Sequence, residues 1–193
     1  MTAGRALRMD AVRNHERIVV AAGVAFEELG ASVALEEVAR RAGVGVATLY
    51  RRFRNREQLV RAVVEHVFTT EIEPAAAVVT DEPWRDLVGT LEAVLESFTT
   101  HRVVLKLAHE AGAVDVDLVE GWFSSMDRVL HRALDAGLVR PELVARDLAA
   151  VVVMALATVH DRDPVGADRR RYLALLLDGL RPAPTTLPPP SVT

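Results

Sequence analysis

The chain has no cysteine among its 193 residues. Disulfides and thiolate-held metals are therefore excluded, which fits a reducing compartment. Lysine is nearly absent: Lys106 stands alone beside 22 arginines, since Lys and Arg together number 23. Aromatic residues make up only 5%. The longest apolar run, Leu148 to Ala157, is too short to span a bilayer. The opening stretch MTAGRALRMDAVRNHE has no apolar core of signal-peptide length, and a soluble cytoplasmic protein is the expectation. No run alternates with period two, so a sheet is not expected.

What is present is an apolar half and an uneven charge. Half the residues are hydrophobic, enough for a sizeable core. The net charge is −4, yet residues 1–56 carry ten arginines against six acids. Seven arginines and one acid, Glu57, lie between Arg40 and Arg61. A basic head on an acidic body points to a polyanionic partner for the head.

Periodicity reads as helix almost throughout, giving an all-α fold. Ile18, Ala22, Ala25, Phe26 and Leu29 mark a first helix from about Val12, which Gly30 ends. Leu35, Val38, Ala39 and Ala42 mark a short second helix before Gly43-Val44-Gly45. Val46, Leu49 and Phe53 share one face of a third, so Val46 and Leu49 are expected to dock it. Asn55, with Gln58 three residues on, predicts the N-cap of a fourth helix running towards Pro74. Further helices are expected at about 83–98, 102–111, 118–134, from Pro141 to about His160, and at 167–180. The tail PAPTTLPPPSVT holds five prolines in twelve residues and is expected to be disordered.

Two short helices joined by a glycine-containing turn make a helix-turn-helix pattern. Its second helix would enter the major groove. Gly45 is an acceptable N-cap whose neighbouring N–H groups suit a phosphate. Gly45 and Val46 are also counted among the DNA-contacting residues, Ala47 is small enough for close approach, and Thr48 and Tyr50 offer polar groups. Arg51, Arg52, Arg54 and Arg56 would neutralise phosphates.

The stretch LEEVARRAGVGVATLYRRFRNREQLV, residues 35–60, with RIVVAAGVAFEELGA before it, resembles the DNA-binding signature of the TetR family of transcriptional regulators. Ala34 stands where that family often has a Ser or Thr cap, Val46 where lysine is common, and Arg52 where His or Tyr is frequent. The resemblance implies four segments: a flexible N-terminal arm (1–12), a helix-turn-helix DNA-binding domain (13–56), a helical ligand-binding and dimerisation domain (57–181), and the tail (182–193). It implies a homodimer on a palindromic double-stranded operator, acting as a repressor released by a small effector. An activator or a ligand-independent regulator is the alternative.

For the effector, polar and aromatic residues among apolar stripes are candidates: His101, Leu105, His109, Glu110, Trp122, Met126 and His160. A largely hydrophobic ligand is expected. For the dimer, the helices at 148–157 and 172–180 are apolar over more than one face, which fits either central core or an interface. The resemblance favours an interface through Val152, Leu156, Tyr172, Leu173, Leu176 and Leu180. A small-molecule enzyme on a helical scaffold is the other functional class. It lacks support: there is no glycine-rich phosphate loop and no Gly-x-Ser-x-Gly elbow, and HEAGA lacks the second histidine of a zinc helix. No metal, cofactor or membrane partner is expected.

Overall fold

The computed structural model describes residues 3–112, 116–158 and 167–190. Every regular element among them is helical. The described residues of 1–68 and 100–118 form one compact unit, and those of 69–99 and 119–193 form another.

In the first unit, α1 (Ala3–Leu29) packs against α2 (Leu35–Ala42), α4 (Arg56–Val67) and α7 (Arg102–Glu110), and α3 (Val46–Arg52) packs against α2. Helix α1 begins at Ala3, well before Val12, so the expected N-terminal arm is helical over its described part. The core gathers Ile18, Phe26, Val38, Leu49, Phe53, Leu59, Val63 and Val104. Burying a side chain such as Phe26 contributes about 1.5–3 kcal/mol. Helices α1 and α4 cross closely at Gly23, where an added Cβ would stand 3.3 Å from Val63 Cγ1. The segment 102–110, which the sequence reading groups with the second domain, joins this core through Val104 and Ala108.

Helix α2 ends at Gly43 with φ 63°, a left-handed conformation that favours glycine. Arg17 of α1 donates from Nη2 to the Ala42 carbonyl at 2.5 Å and to the Gly43 carbonyl at 3.2 Å. It thereby places a cation at the negative end of α2. Asn55 caps α4 by accepting the Gln58 backbone N–H at 2.9 Å. Beyond Val67 the chain widens into a π-helical turn, Phe68–Ile72, then a single turn α5 (Glu73–Ala76).

The second unit contains α6 (Pro83–Thr100), the described C-terminal part of α8 (Val116–Asp135), α9 (Ala145–Leu156) and α10 (Ala167–Gly179). Leu87, Leu91, Val94, Met126, Leu130, Leu148, Val152 and Leu177 are buried. Helix α9 starts at Ala145 and not at Pro141, because Asp147 in its first turn reaches back to accept the Val144 N–H at 2.9 Å. The Pro-rich tail is tied at its start: Arg140 donates to the carbonyls of Gly179 (2.9 Å) and Thr185 (2.7 Å), and Arg181 stacks 3.6 Å from the Trp84 ring centre. No described helix is long and apolar enough to cross a membrane.

Candidate nucleic-acid interface

The turn and α3 are held by their buried side. Leu49 is fully buried and Phe53 nearly so, which docks α3 onto the first unit. Gly45 begins the helix by accepting Thr48 N–H (2.8 Å) and Leu49 N–H (3.2 Å). Val46 does not dock as expected: it is 40% exposed and belongs to the outer face. That face also carries Gly45, Ala47, Tyr50, Arg51 and Arg52, all exposed, with Thr48 half-buried. Of the seven residues of α3, Leu49 is buried and Thr48 half-buried, and the other five face outward.

The polar groups of this face are already oriented. Arg51 donates from Nη2 to Thr48 Oγ1 at 3.1 Å. Tyr50 Oη donates to Glu36 Oε1 of α2 at 3.3 Å, and that carboxylate, together with burial, holds the phenol above its ordinary value. Arg52 donates from Nε to His15 Nδ1 of α1 at 3.1 Å. Arg54 is exposed, and its backbone N–H donates to Gln58 Oε1 at 2.9 Å.

Arg56 stands apart from this rim. Its guanidinium donates to the carbonyls of Ala31 and Val33 and lies 5.4 Å from the Phe26 ring centre. Two of its donors are spent on the turn that links α1 to α2. Arg40 and Arg41 are similarly engaged: Glu37 accepts from both, at 2.7 and 3.0 Å, and Arg41 also reaches Glu28 at 2.5 Å. Those hydrogen bonds, Arg40 first, hold the Glu37 carboxyl down at about 2. Arg51, Arg52 and Arg54 are exposed at the end of α3 and just beyond it.

Sequence reasoning missed three residues that build this unit. His15 meets Arg52 across 37 residues and stacks on Phe53 with ring centres 5.2 Å apart. Arg17 caps α2. Glu27 of α1 accepts the N–H groups of Val103 (3.1 Å) and Val104 (2.9 Å), supplying the N-terminal cap of α7 that His101 does not provide with its side chain. No local spacing announces any of these contacts.

The effector candidates fall in different places. His101, Leu105 and His109 belong to the first unit, where His109 and Glu110 are exposed and His101 and Leu105 half-buried. Trp122 and Met126 belong to the second. Met126 is fully buried; Trp122 is half-buried, packs edge-on to Phe123, and has a buried Nε1–H without a hydrogen-bond partner. Ser97, not expected from the sequence, is buried with an unpartnered Oγ. His160 lies outside the described residues. Of the six dimer candidates, Val152, Leu173 and Leu180 are buried within the protomer, Leu156 and Leu176 are half-buried, and Tyr172 is exposed. The exposed large apolar residues on the packed α9–α10 pair are Val153, Met154, Tyr172 and Leu175.

Residues 17–63 match the family model for the bacterial regulatory proteins of the tetR family. No curated protein matches the chain. Among solved structures, a TetR transcriptional regulator from Streptomyces coelicolor is 27% identical, with a TM-score of 0.66 over 87% of this chain and 98% of that one. A TetR transcription regulatory protein from Mycobacterium vanbaalenii is 26% identical, with a TM-score of 0.70 over 91% and 99%. The TetR-like regulator LfrR from Mycobacterium smegmatis, solved with proflavine, shares the fold at 22% identity, with a TM-score of 0.60 over 91% and 99%. The matched segment runs from α1 into α4 and takes in the helix that presents Thr48, Tyr50 and the arginine rim, so residues 17–63 carry the N-terminal segment of the bacterial tetR regulatory proteins, and most of the chain is similar in fold to solved TetR transcriptional regulators.

Proposed function

We propose that the protein is a cytoplasmic, homodimeric repressor that binds a palindromic operator through residues 13–56 and leaves it when residues 57–181 take up a small, largely hydrophobic effector. The observation that carries the DNA-binding reading is the two-sided build of α3. Leu49 is buried while Ala47, Thr48, Tyr50, Arg51 and Arg52 face outward. Such a helix meets base edges with small and polar side chains while arginines at its end meet phosphates.

The exposed Val153, Met154, Tyr172 and Leu175 support pairing of two α9–α10 faces, since an apolar patch of this kind is costly to leave in water. A symmetric pair then requires a symmetric operator. For the effector, the unpartnered Trp122 N–H and Ser97 hydroxyl favour a ligand with a hydrogen-bond acceptor on an apolar or aromatic body. Proflavine, an aromatic molecule bound by the Mycobacterium smegmatis relative, is of that kind.

The test is selection of duplexes from a random-sequence pool with the purified full-length protein. The reading predicts inverted half-sites whose centres lie roughly 34–36 Å apart or a multiple of it. A pool that shows no enriched sequence contradicts it.

A further inference from the structure

The His15 imidazole is placed directly against the rim of α3. Its Nδ1 accepts the Arg52 Nε–H at 3.1 Å, and its ring stacks on Phe53 at 5.2 Å with 27° between the planes. A guanidinium Nε can only donate, so Nδ1 must carry a lone pair and the ring proton sits on Nε2. The bond uses the inner edge of the guanidinium. The outer Nη1 and Nη2 groups stay available on an exposed side chain.

We propose that His15 is a positioning residue for DNA binding: the neutral imidazole fixes the Arg52 guanidinium for phosphate contact, and its protonation releases that arginine. The proposal rests on the DNA-facing role of Arg52 given above. The imidazolium has an N–H where the lone pair was, so it cannot accept from Arg52, and two cations then face each other. Two basic groups act on it, Arg52 from the end of α3 and His66 from α4; Phe53 provides the apolar wall. Burial first, then Arg52 and His66, holds the His15 imidazole below its ordinary value. The neutral, arginine-orienting form therefore prevails at neutral pH and is lost as pH falls below the ordinary histidine range of about 6.5.

This opposes the general trend. Protonating any other histidine adds positive charge and tightens binding to DNA. The contribution of His15 is isolated by comparing the wild type with His15→Gln, whose amide oxygen can accept from Arg52 but does not titrate. The probe is the duplex selected by the purified protein. Its dissociation constant is measured by fluorescence anisotropy from pH 8 to pH 5.5, for the wild type, His15→Gln, His15→Ala and Arg52→Ala, each checked for folding by circular dichroism. Between the two pH limits the wild type should weaken about three- to tenfold relative to His15→Gln, the scale of one lost hydrogen bond. His15→Ala should be weaker already at pH 8. If wild type and His15→Gln keep a constant ratio, or the wild type gains on the variant, the positioning role is overturned while Arg52 as a DNA contact stands. If Arg52→Ala binds as the wild type does at every pH, the DNA-facing reading of Arg52 itself has failed, and the positioning role fails with it.

Discussion

The guanidinium of Arg56 donates from Nη1 to the carbonyl oxygen of Ala31 at 2.5 Å, and its Nη2 donates to Val33. An arginine at the start of α4 thus ties down the turn before α2. Arg56→Ala should lower unfolding stability by about 1–3 kcal/mol, because two carbonyls lose a charged donor. The slope of log affinity against log salt should stay as in the wild type. Denaturant titration and salt-dependent binding on the same variant check both; a flattened slope with unchanged stability would return Arg56 to the phosphate rim.

Thr48 sits half-buried on the outer side of α3, its Oγ1 accepting from Arg51. Thr48→Ala should weaken binding to the selected duplex by about 1–3 kcal/mol while leaving random-sequence binding nearly intact. Equal losses on both would make Thr48 a phosphate contact or a support for Arg51.

Leu175 is 61% exposed and Val153 64% exposed on the packed α9–α10 pair. Leu175→Arg should yield monomers with poor operator affinity and little change in protomer helicity. Sedimentation equilibrium reads this directly, and a dimeric Leu175→Arg would move the interface elsewhere.

Asp86 is buried in the second unit and accepts from Thr80 N–H (2.9 Å), Thr80 Oγ1 (2.7 Å) and Arg132 Nη1 (2.6 Å). The Thr80 backbone N–H leads, followed by the Thr80 hydroxyl and, against the opposing effect of burial, Arg132; together they depress the carboxyl to about 2. A depressed carboxylate contributes stability that is fully present above its unfolded value of about 3.9 and disappears as pH falls through the folded value. Unfolding stability should therefore fall between about pH 4 and pH 2, and Asp86→Asn should be less stable at neutral pH with a shallower acid limb. Thermal melts across that range would show a parallel limb in the variant if the network contributed nothing.

The helical plan was legible because short-range rules govern it. Leu35, Val38, Ala39 and Ala42 share a stripe, and the structure buries all four. Gly43 sits where only a left-handed residue ends α2. The arginine rim was legible as charge but not as partners. Arg56 finds its acceptors 23 to 25 residues away and His15 finds Arg52 across 37. Glu27 caps α7 from 76 to 77 residues back. Local spacing carries no information about such contacts. Around α9 and α10 the limit was different: both helices are apolar on several faces, so periodicity could not tell the inward Val152 and Leu173 from the outward Val153 and Leu175.

The central claim, that α3 presents a DNA-reading face rimmed by phosphate-binding arginines, is tested most directly by one salt series. Affinity for the selected duplex and for a shuffled duplex is measured from about 50 to 200 mM salt with the wild type and with Arg52→Ala. The wild type should prefer the selected duplex by at least about a thousandfold. Arg52→Ala should bind both more weakly, with a log–log slope flatter by about 0.9. Equal wild-type affinity for the two duplexes, or an Arg52→Ala slope identical to that of the wild type, would contradict the account.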